Sequence, residues 1–347
     1  MTTKIAFLII ITLFTVNCEK QDPADKVLNE MSVQKGYKNW YLETFRCGVF
    51  VPPSYTPQKK YPLILFLHGH SDTTTWNMRW YNEPFLTNDP CIVLTPKCPI
   101  EETNGWGNSW DPRASPMMQK TFQMINLVKQ ALNVDTSRIY IHGTSMGGIG
   151  TYGVIQKNPT LFTAGYSECG SGNAEIAPIL AKIPFWIFHG SNDYIVLPQG
   201  DRNIYKAVID NGGKQIRYTE YPGVGHNVWD YTKNENALPY WLLAQRKGVV
   251  HGPPDAVTNF KETIVNSRKI KLEWVKPTDT TKTDNQIWYY KIYRNDEVIN
   301  EADYSITSIY DTTVLANKSY QYKISVVNFF FKESKQSPGI YLITGSK

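Results

Sequence analysis

Ser145 stands at the centre of a Gly-x-Ser-x-Gly pattern, Gly143 to Gly147, where the apolar run 139–142 ends. Such an apolar run predicts a buried strand, and the glycine-rich residues after it predict a sharp turn into a helix. Glycine is required on both sides because a side chain there would collide with the neighbouring backbone. The pattern therefore predicts a serine hydroxyl presented at a strand-to-helix turn.

A serine hydroxyl is a weak nucleophile at neutral pH unless a histidine takes its proton and a carboxylate orients that histidine. Asp193 follows the apolar run 183–188, and His226 ends the glycine-containing loop 221–226. We therefore predict Ser145, Asp193 and His226 as a catalytic triad. Asp193 is also typical of a turn before a helix, and Asp72 and Asp230 are alternative carboxylates.

The remaining histidines compete with His226 for the role of base. Three of them precede a glycine at a predicted strand end, where packing or local hydrogen bonding is the common role; these are His68, His142 and His189. His251 lies in a predicted linker. The apolar run 61–67 ends in His68-Gly69-His70, and we assign the backbone N–H groups of His70 and Met146 as donors of an oxyanion hole.

Four blocks of sequence, in this order along the chain, resemble the secreted carboxylesterase branch of the α/β-hydrolases over residues 36 to 248. That branch includes feruloyl and acetylxylan esterases and polyhydroxybutyrate depolymerase-like enzymes. The resemblance implies a mostly parallel central sheet, a Ser-Asp-His triad and hydrolysis of carboxylic esters. The blocks are Leu-His-Gly-His-Ser-Asp (67–72), Gly-Thr-Ser-Met-Gly-Gly (143–148), His-Gly-Ser-Asn-Asp (189–193) and Gly-His-Asn (225–227).

The composition is that of an ordinary globular protein: 347 residues, 41% hydrophobic and 19% charged, with a net charge of +5. We find no lysine or arginine cluster, no zinc-type spacing of cysteine and histidine, and no phosphate-binding loop. The sequence therefore gives little support to nucleic acid, metal or nucleotide as a partner. We predict no cofactor and no metal.

The first residues predict a targeting segment. Lys4 precedes an apolar run, 5–16, which has signal-peptide length and is too short to span a bilayer. We predict a signal peptide over residues 1–17, lipidation of Cys18 as in bacterial lipoproteins, and a polar tether over 18–35. Asn17 departs from the usual small residue before the cysteine, so an ordinary signal peptide is the alternative. Both interpretations predict an exported protein.

The chain changes character after residue 248. A linker, 249–255, contains His-Gly-Pro-Pro, and short alternating strands follow over residues 256–347. Their spacing predicts an antiparallel β-sandwich. The order of Trp274, Tyr290 and Tyr322 resembles a fibronectin type III domain. We expect a spacer or docking role for it, with Phe329 to Phe331 packed on the catalytic domain, and glycan binding is the alternative.

Other residues concern cysteine chemistry and substrate binding. Cys91 and Cys98 flank one extended strand about 20 Å long and so cannot pair with each other, whereas Cys47 and Cys169 stay open as partners. Four tryptophans near the predicted site are candidates for a cleft that binds an aromatic or sugar ring: Trp76, Trp106, Trp110 and Trp229. At least one of them is expected to be core.

The sequence thus predicts an exported serine carboxylesterase that acts on feruloyl or acetyl esters of polysaccharides, or on polyesters. Two alternatives stay open. A serine peptidase of the prolyl oligopeptidase type has the same triad order, although the segment before Tyr61 has no room for that family's propeller. A surface lipoprotein that binds glycan without catalysis is the third interpretation.

Overall fold

The computed structural model describes residues 23–70, 80, 85–99, 105–278 and 286–345. The predicted signal peptide, Cys18 as the predicted lipidation site, and Trp76 lie outside these residues. No helix within the described ranges is long and apolar enough to cross a membrane.

The first two thirds of the described chain form one mixed sheet. Its strand order is β1-β2-β4-β3-β5-β6-β7-β8, in which β1 and β2 pair antiparallel and every pair from β4 to β8 is parallel. A mostly parallel sheet was expected. The strands are β1 Gly36–Leu42, β2 Phe45–Val51, β3 Tyr61–Leu67, β4 Ile92–Pro96, β5 Val134–Thr144, β6 Ala164–Glu168, β7 Phe185–Gly190 and β8 Ile216–Tyr221.

Helices cover both faces of this sheet, which explains why its central strands are apolar without alternation. One face packs against α3, α4 and α6, and the other packs against α8. The helices are α1 Pro23–Ser32, α2 Phe85–Asn88, α3 Pro116–Ala131, α4 Met146–Lys157, α5 Ala177–Leu180, α6 Gln199–Asp210, α7 Trp229–Thr232 and α8 Ala237–Ala244.

The last part of the chain forms two separate antiparallel sheets, ordered β13-β10-β9 and β12-β11-β14-β15. Both sheets contribute to one core that includes Trp274, Tyr290 and Tyr322. Trp274, Tyr290 and Tyr322 lie on β10, β11 and β14, respectively. The strands are β9 Thr258–Asn266, β10 Lys269–Val275, β11 Ile287–Arg294, β12 Glu297–Asp303, β13 Ser308–Asp311, β14 Ser319–Asn328 and β15 Ile340–Ile343.

The two parts of the molecule share an aromatic cluster. Trp288 and Phe329 of the C-terminal sheets pack in one buried cluster with Trp186 of β7 and Trp241 of α8. The guanidinium of Arg217 lies 4.9 Å from the centroid of the Trp288 ring. The contact agrees with the expectation that residues 329–331 pack on the first domain.

Candidate active site

Ser145 connects β5 to α4 in a conformation that non-glycine residues rarely adopt, with φ +56° and ψ −116°. Its backbone N–H donates to the Glu168 carbonyl at 2.8 Å, and its own carbonyl accepts from Ile149 N–H at 2.9 Å. Strain of this kind persists only where the surrounding structure holds it. The neighbouring strand β6 and the first turn of α4 provide that support.

The glycines around Ser145 are required by close backbone approaches. A methyl carbon added at Gly147 would lie 1.8 Å from the Leu67 carbonyl oxygen, and one added at Gly143 would lie 2.2 Å from the Gly147 carbonyl oxygen. Helix α4 therefore begins directly against the end of β3. This approach positions the serine at the carboxyl edge of the sheet.

His226 lies between the serine and the aspartate. Its Nε2 is 2.8 Å from Ser145 Oγ, and its Nδ1 is 2.7 Å from Asp193 Oδ2. Because an ionised carboxylate only accepts hydrogen bonds, Nδ1 carries the proton and Nε2 can accept from the serine hydroxyl. The structure therefore brings the three residues into one hydrogen-bonded chain.

The Asp193 carboxylate is buried at the turn after β7. Its Oδ1 accepts from the backbone N–H groups of Ile195 at 2.9 Å and Val196 at 3.0 Å, so the carboxylate orientation is fixed by its own turn. The rival Asp230 instead bonds the Asn227 and Lys233 side chains at the surface. Asp72 lies outside the described residues.

Three of the other histidines bond or stack away from the serine. His68 donates from Nδ1 to the Gly69 carbonyl and accepts the Cys98 N–H at Nε2, at 2.7 and 3.0 Å. His142 accepts from Trp80 Nε1 at 3.1 Å, and His251 stacks on Phe330. These contacts fit the local roles expected from their positions.

The turn after β3 lies beside the nucleophile. A methyl carbon added at Gly69 would lie 3.6 Å from Ser145 Cβ. The turn is held in place because Trp106 Nε1 donates to the His68 carbonyl at 2.9 Å. His70 lies in this turn and Met146 begins α4, so both predicted oxyanion donors belong to segments next to Ser145.

The predicted tryptophans have different environments. Trp106 is 1% exposed, so its ring offers no surface to a substrate, and its role as a cleft wall is corrected to support of the 68–70 turn. Trp229 is 40% exposed, and its ring packs edge-on against the His226 ring with 5.7 Å between the ring centroids. Trp110 is 52% exposed. Trp76 lies outside the described residues.

Sequence reasoning missed two features near the triad. Tyr194, next to Asp193, is 83% exposed, and Ile195 and Leu197 are exposed as well, which gives the aspartate loop an apolar outer surface. Glu168 is buried and accepts from Thr144 Oγ1 and Thr232 Oγ1. The sequence signal for Glu168 is weak, because the run 164–168, Ala-Gly-Tyr-Ser-Glu, is not an apolar strand pattern.

Cys169 packs beside the triad. Its Sγ lies 3.3 Å from the His226 carbonyl oxygen, and burial raises the pKa of the thiol well above its usual value. A thiol of this kind is a poor nucleophile. The described cysteines Cys47, Cys91, Cys98 and Cys169 are all buried thiols.

One group of possible metal ligands occurs among the described residues: Cys169, Asp193 and His226, with ligand atoms within 4.8 Å of one another. The His226 ring nitrogens and the Asp193 carboxylate already bond within the triad. The donor set is therefore used for hydrogen bonding.

Comparisons with known proteins agree with this fold. The prolyl oligopeptidase family model matches residues 119–176. A bifunctional acetylxylan esterase/xylanase from Neocallimastix patriciarum is 29% identical over 209 residues, which are 58% of this chain and 28% of that protein. Feruloyl esterase B from Neurospora crassa is 30% identical over 144 residues, which are 38% of this chain and 48% of that protein.

A solved structure of a thermostable esterase is 29% identical, with a TM-score of 0.55 over 61% of this chain and 63% of that one. The chain spans less than half the length of the two curated relatives. Together these similarities support an α/β-hydrolase fold.

Proposed function

We propose that this protein is an exported serine carboxylesterase. The observation that carries the proposal is the chain of hydrogen bonds from Ser145 Oγ to His226 Nε2, 2.8 Å, and from His226 Nδ1 to Asp193 Oδ2, 2.7 Å. The esterase relatives support the same reaction class.

In the proposed reaction, Ser145 Oγ attacks the ester carbonyl carbon while His226 Nε2 takes the hydroxyl proton. Asp193 holds the ring and stabilises the imidazolium that forms. The His70 and Met146 backbone N–H groups stabilise the oxyanion. His226 then returns the proton to the leaving alcohol, and a water activated by His226 releases the acid from Ser145.

We propose an ester of a polysaccharide, feruloyl or acetyl, or a polyester as the substrate. Exposed aromatic surface at Trp229, next to the base, and at Tyr194, next to the orienting aspartate, supports a substrate with an aromatic or extended apolar group. Trp110 stays a proposed contact. Acetylxylan and feruloyl esterases among the relatives fit this class.

The test compares wild type with Ser145→Ala on short-chain p-nitrophenyl esters, methyl ferulate and acetylated xylan. We expect the variant to lose at least about 1,000-fold in kcat/KM, because the nucleophile is removed. Ser54→Ala is the matched control, since Ser54 is exposed and its carbonyl, not its hydroxyl, bonds Tyr61. Equal activity of Ser145→Ala and wild type would disprove the site.

A serine peptidase is the second candidate, favoured by the family model that matches residues 119–176. A peptide p-nitroanilide assayed beside the esters separates the two. Hydrolysis of the anilide at a rate comparable to the esters would favour the peptidase. A protein inactive on both substrates that binds polysaccharide would favour the third interpretation, a non-catalytic glycan-binding lipoprotein.

We propose that the chain is divided into a catalytic domain over 36–248, a linker over 249–255 and a fibronectin type III-like domain over 256–347. The two antiparallel sheets with one shared core support the last of these. We also propose export with lipid attachment at Cys18, in a bacterial cell. Cys18→Ser should move the protein from the membrane fraction to the soluble fraction; unchanged fractionation would contradict the anchor.

A further inference from the structure

A second chain of buried polar side chains lies behind Asp193. The Tyr152 hydroxyl donates to Asp201 Oδ1 at 2.7 Å, and Asp201 Oδ2 is 2.7 Å from His189 Nδ1. His189 Nε2 is 2.8 Å from the Val196 carbonyl oxygen and 3.3 Å from Asp193 Oδ2. The chain joins α4, α6 and β7 to the triad, and the triad mechanism makes no use of it.

The position of one proton in this chain follows from chemistry. A carbonyl oxygen only accepts hydrogen bonds, so His189 Nε2 must carry the hydrogen that faces Val196. That same N–H also faces Asp193 Oδ2. His189 therefore acts toward the triad as a hydrogen-bond donor.

The other side of His189 shares one proton with Asp201. The pair is either an imidazolium with a carboxylate or an imidazole with a carboxylic acid, and its net charge is zero in both forms. Burial raises the pKa of Asp201; burial alone would lower the pKa of His189, but the bond to Asp201 raises it. A neutral pair leaves Asp193 as the anion next to His226.

Val196 connects this buried hydrogen-bonded chain to the triad. Its N–H donates to Asp193 Oδ1 and its carbonyl accepts from His189 Nε2, so the 193–196 turn is held from both sides. We propose that His189, fixed by Asp201 and Tyr152, is a positioning residue that holds the 193–196 turn and thereby the carboxylate that orients His226. The inference rests on the triad proposed above.

Charged and titratable groups around His189 come from three directions. Asp193 follows its own strand, and Asp201 lies on α6. On β8, Glu220 pairs in register with His189 but is bonded by Arg202, 2.6 Å, and by the Tyr218 hydroxyl. Arg202 thus offsets the charge of Glu220, and the His189 hydrogen bonds are directed at the 193–196 turn and Asp201.

Two substitutions separate the two ring nitrogens of His189. The Gln side chain can place an amide N–H where His189 has Nε2, whereas the shorter Asn side chain reaches only the Nδ1 position. We expect His189→Asn to lose up to about 100-fold in kcat with KM nearly unchanged, because a small displacement of the aspartate misaligns the base. His189→Gln should retain most of the activity, and Tyr152→Phe should lose less than His189→Asn.

The pH profile distinguishes positioning from a general loss of stability. A well-placed Asp193 favours the protonated form of His226, so its displacement in His189→Asn should move the acid limb of kcat/KM to lower pH. The limb should stay in place in His189→Gln. The inference would be overturned if the acid limb of His189→Asn stayed in place or moved to higher pH, or if the loss were confined to KM.

A second measurement does not depend on the substrate. The His226 Nδ1 proton, hydrogen-bonded to Asp193, is expected as a low-field proton NMR signal in wild type and in His189→Gln, and it should be lost in His189→Asn. Retention of the signal in a folded His189→Asn protein would overturn the inference. If wild type hydrolyses no ester but its signal follows this pattern, the proposed function fails and the positioning role stands.

Discussion

Replacement of Gly147 by alanine tests the packing that holds the nucleophile. The added methyl carbon would lie 1.8 Å from the Leu67 carbonyl oxygen and 2.4 Å from its carbon, whereas real contacts of this kind are at least 3.0 Å. The start of α4 must therefore move about 1.2 Å from the end of β3, because a backbone carbonyl in a central strand cannot give way. Overpacking of this kind costs about 1–3 kcal/mol.

The same displacement affects catalysis, because Ser145 and Met146 immediately precede Gly147. Ser145 Oγ is 2.8 Å from His226 Nε2, and a shift of about 1 Å at an active site lowers the rate about 100-fold. We therefore expect Gly147→Ala to lose about 2 kcal/mol of unfolding free energy and about 100-fold in kcat/KM. Urea unfolding followed by fluorescence, and hydrolysis of p-nitrophenyl acetate, measure the two effects.

Gly225→Ala is the matched control. A methyl carbon there would meet only Asn227 Oδ1 at 4.0 Å, and its backbone is outside the left-handed region. Its unfolding free energy should stay within about 1 kcal/mol of wild type. The steric reasoning fails if Gly147→Ala matches wild type in both assays, or if Gly225→Ala is equally damaging.

Three further changes have defined outcomes. Burial would raise the pKa of Asp135, but hydrogen bonds from Ser137 and Arg138 lower it to about 2. Asp135→Asn should cost about 1–2 kcal/mol of unfolding free energy at pH 7, and this difference, measured by urea unfolding, should be lost as pH falls from about 4 through about 2. Trp288→Ala should cost about 3–5 kcal/mol through the aromatic cluster, and an unchanged thermal midpoint would contradict that packing. Trp229→Ala should raise KM for methyl ferulate up to about tenfold and leave kcat on p-nitrophenyl acetate nearly unchanged; equal KM values would exclude a substrate contact.

The central strands of the sheet were open to prediction because each one has a local signal in the sequence, whereas their order in the sheet was not predicted. A run such as 61–67 is apolar at every position, which is typical of a strand covered on both faces, and β3 is buried throughout. Ser145 and Asp193 follow such runs, His226 lies in the loop after the next strand, and the carboxyl ends of parallel strands meet at one edge. Residue type and chain order therefore led to Ser145, Asp193 and His226 without knowledge of any contact.

The orientation of a side chain, by contrast, could not be predicted from local sequence signals. Trp106 lies in a loop after β4 and was one of four candidates for the cleft, of which at least one was expected to be core. Its indole N–H instead bonds the His68 carbonyl, and its side chain fills the space that a methyl group at Gly150 would need. Only the tertiary structure defines that space, so the ring's direction could not follow from the sequence.

The buried chain behind Asp193 was also beyond prediction. His189 was expected to bond locally, and that interpretation leaves out Asp201, twelve residues later on α6, and Tyr152 on α4. In the sequence alone, Asp201 cannot be distinguished from an ordinary surface aspartate, and Tyr152 cannot be distinguished from an ordinary core tyrosine. Their partnership depends on how two helices pack against the same strand end, which is a long-range property.

The C-terminal sheets are connected to the candidate site through packed apolar side chains. The buried cluster that holds Trp288 and Phe329 also contains Val224 and Val228, which bracket His226 in sequence. Apolar cores are close-packed, so neighbouring side chains respond to a cavity created in one part of a cluster. Removal of the Trp288 ring should therefore loosen the His226 loop as well as the domain contact. The C-terminal sheets are in this sense part of the framework that positions His226.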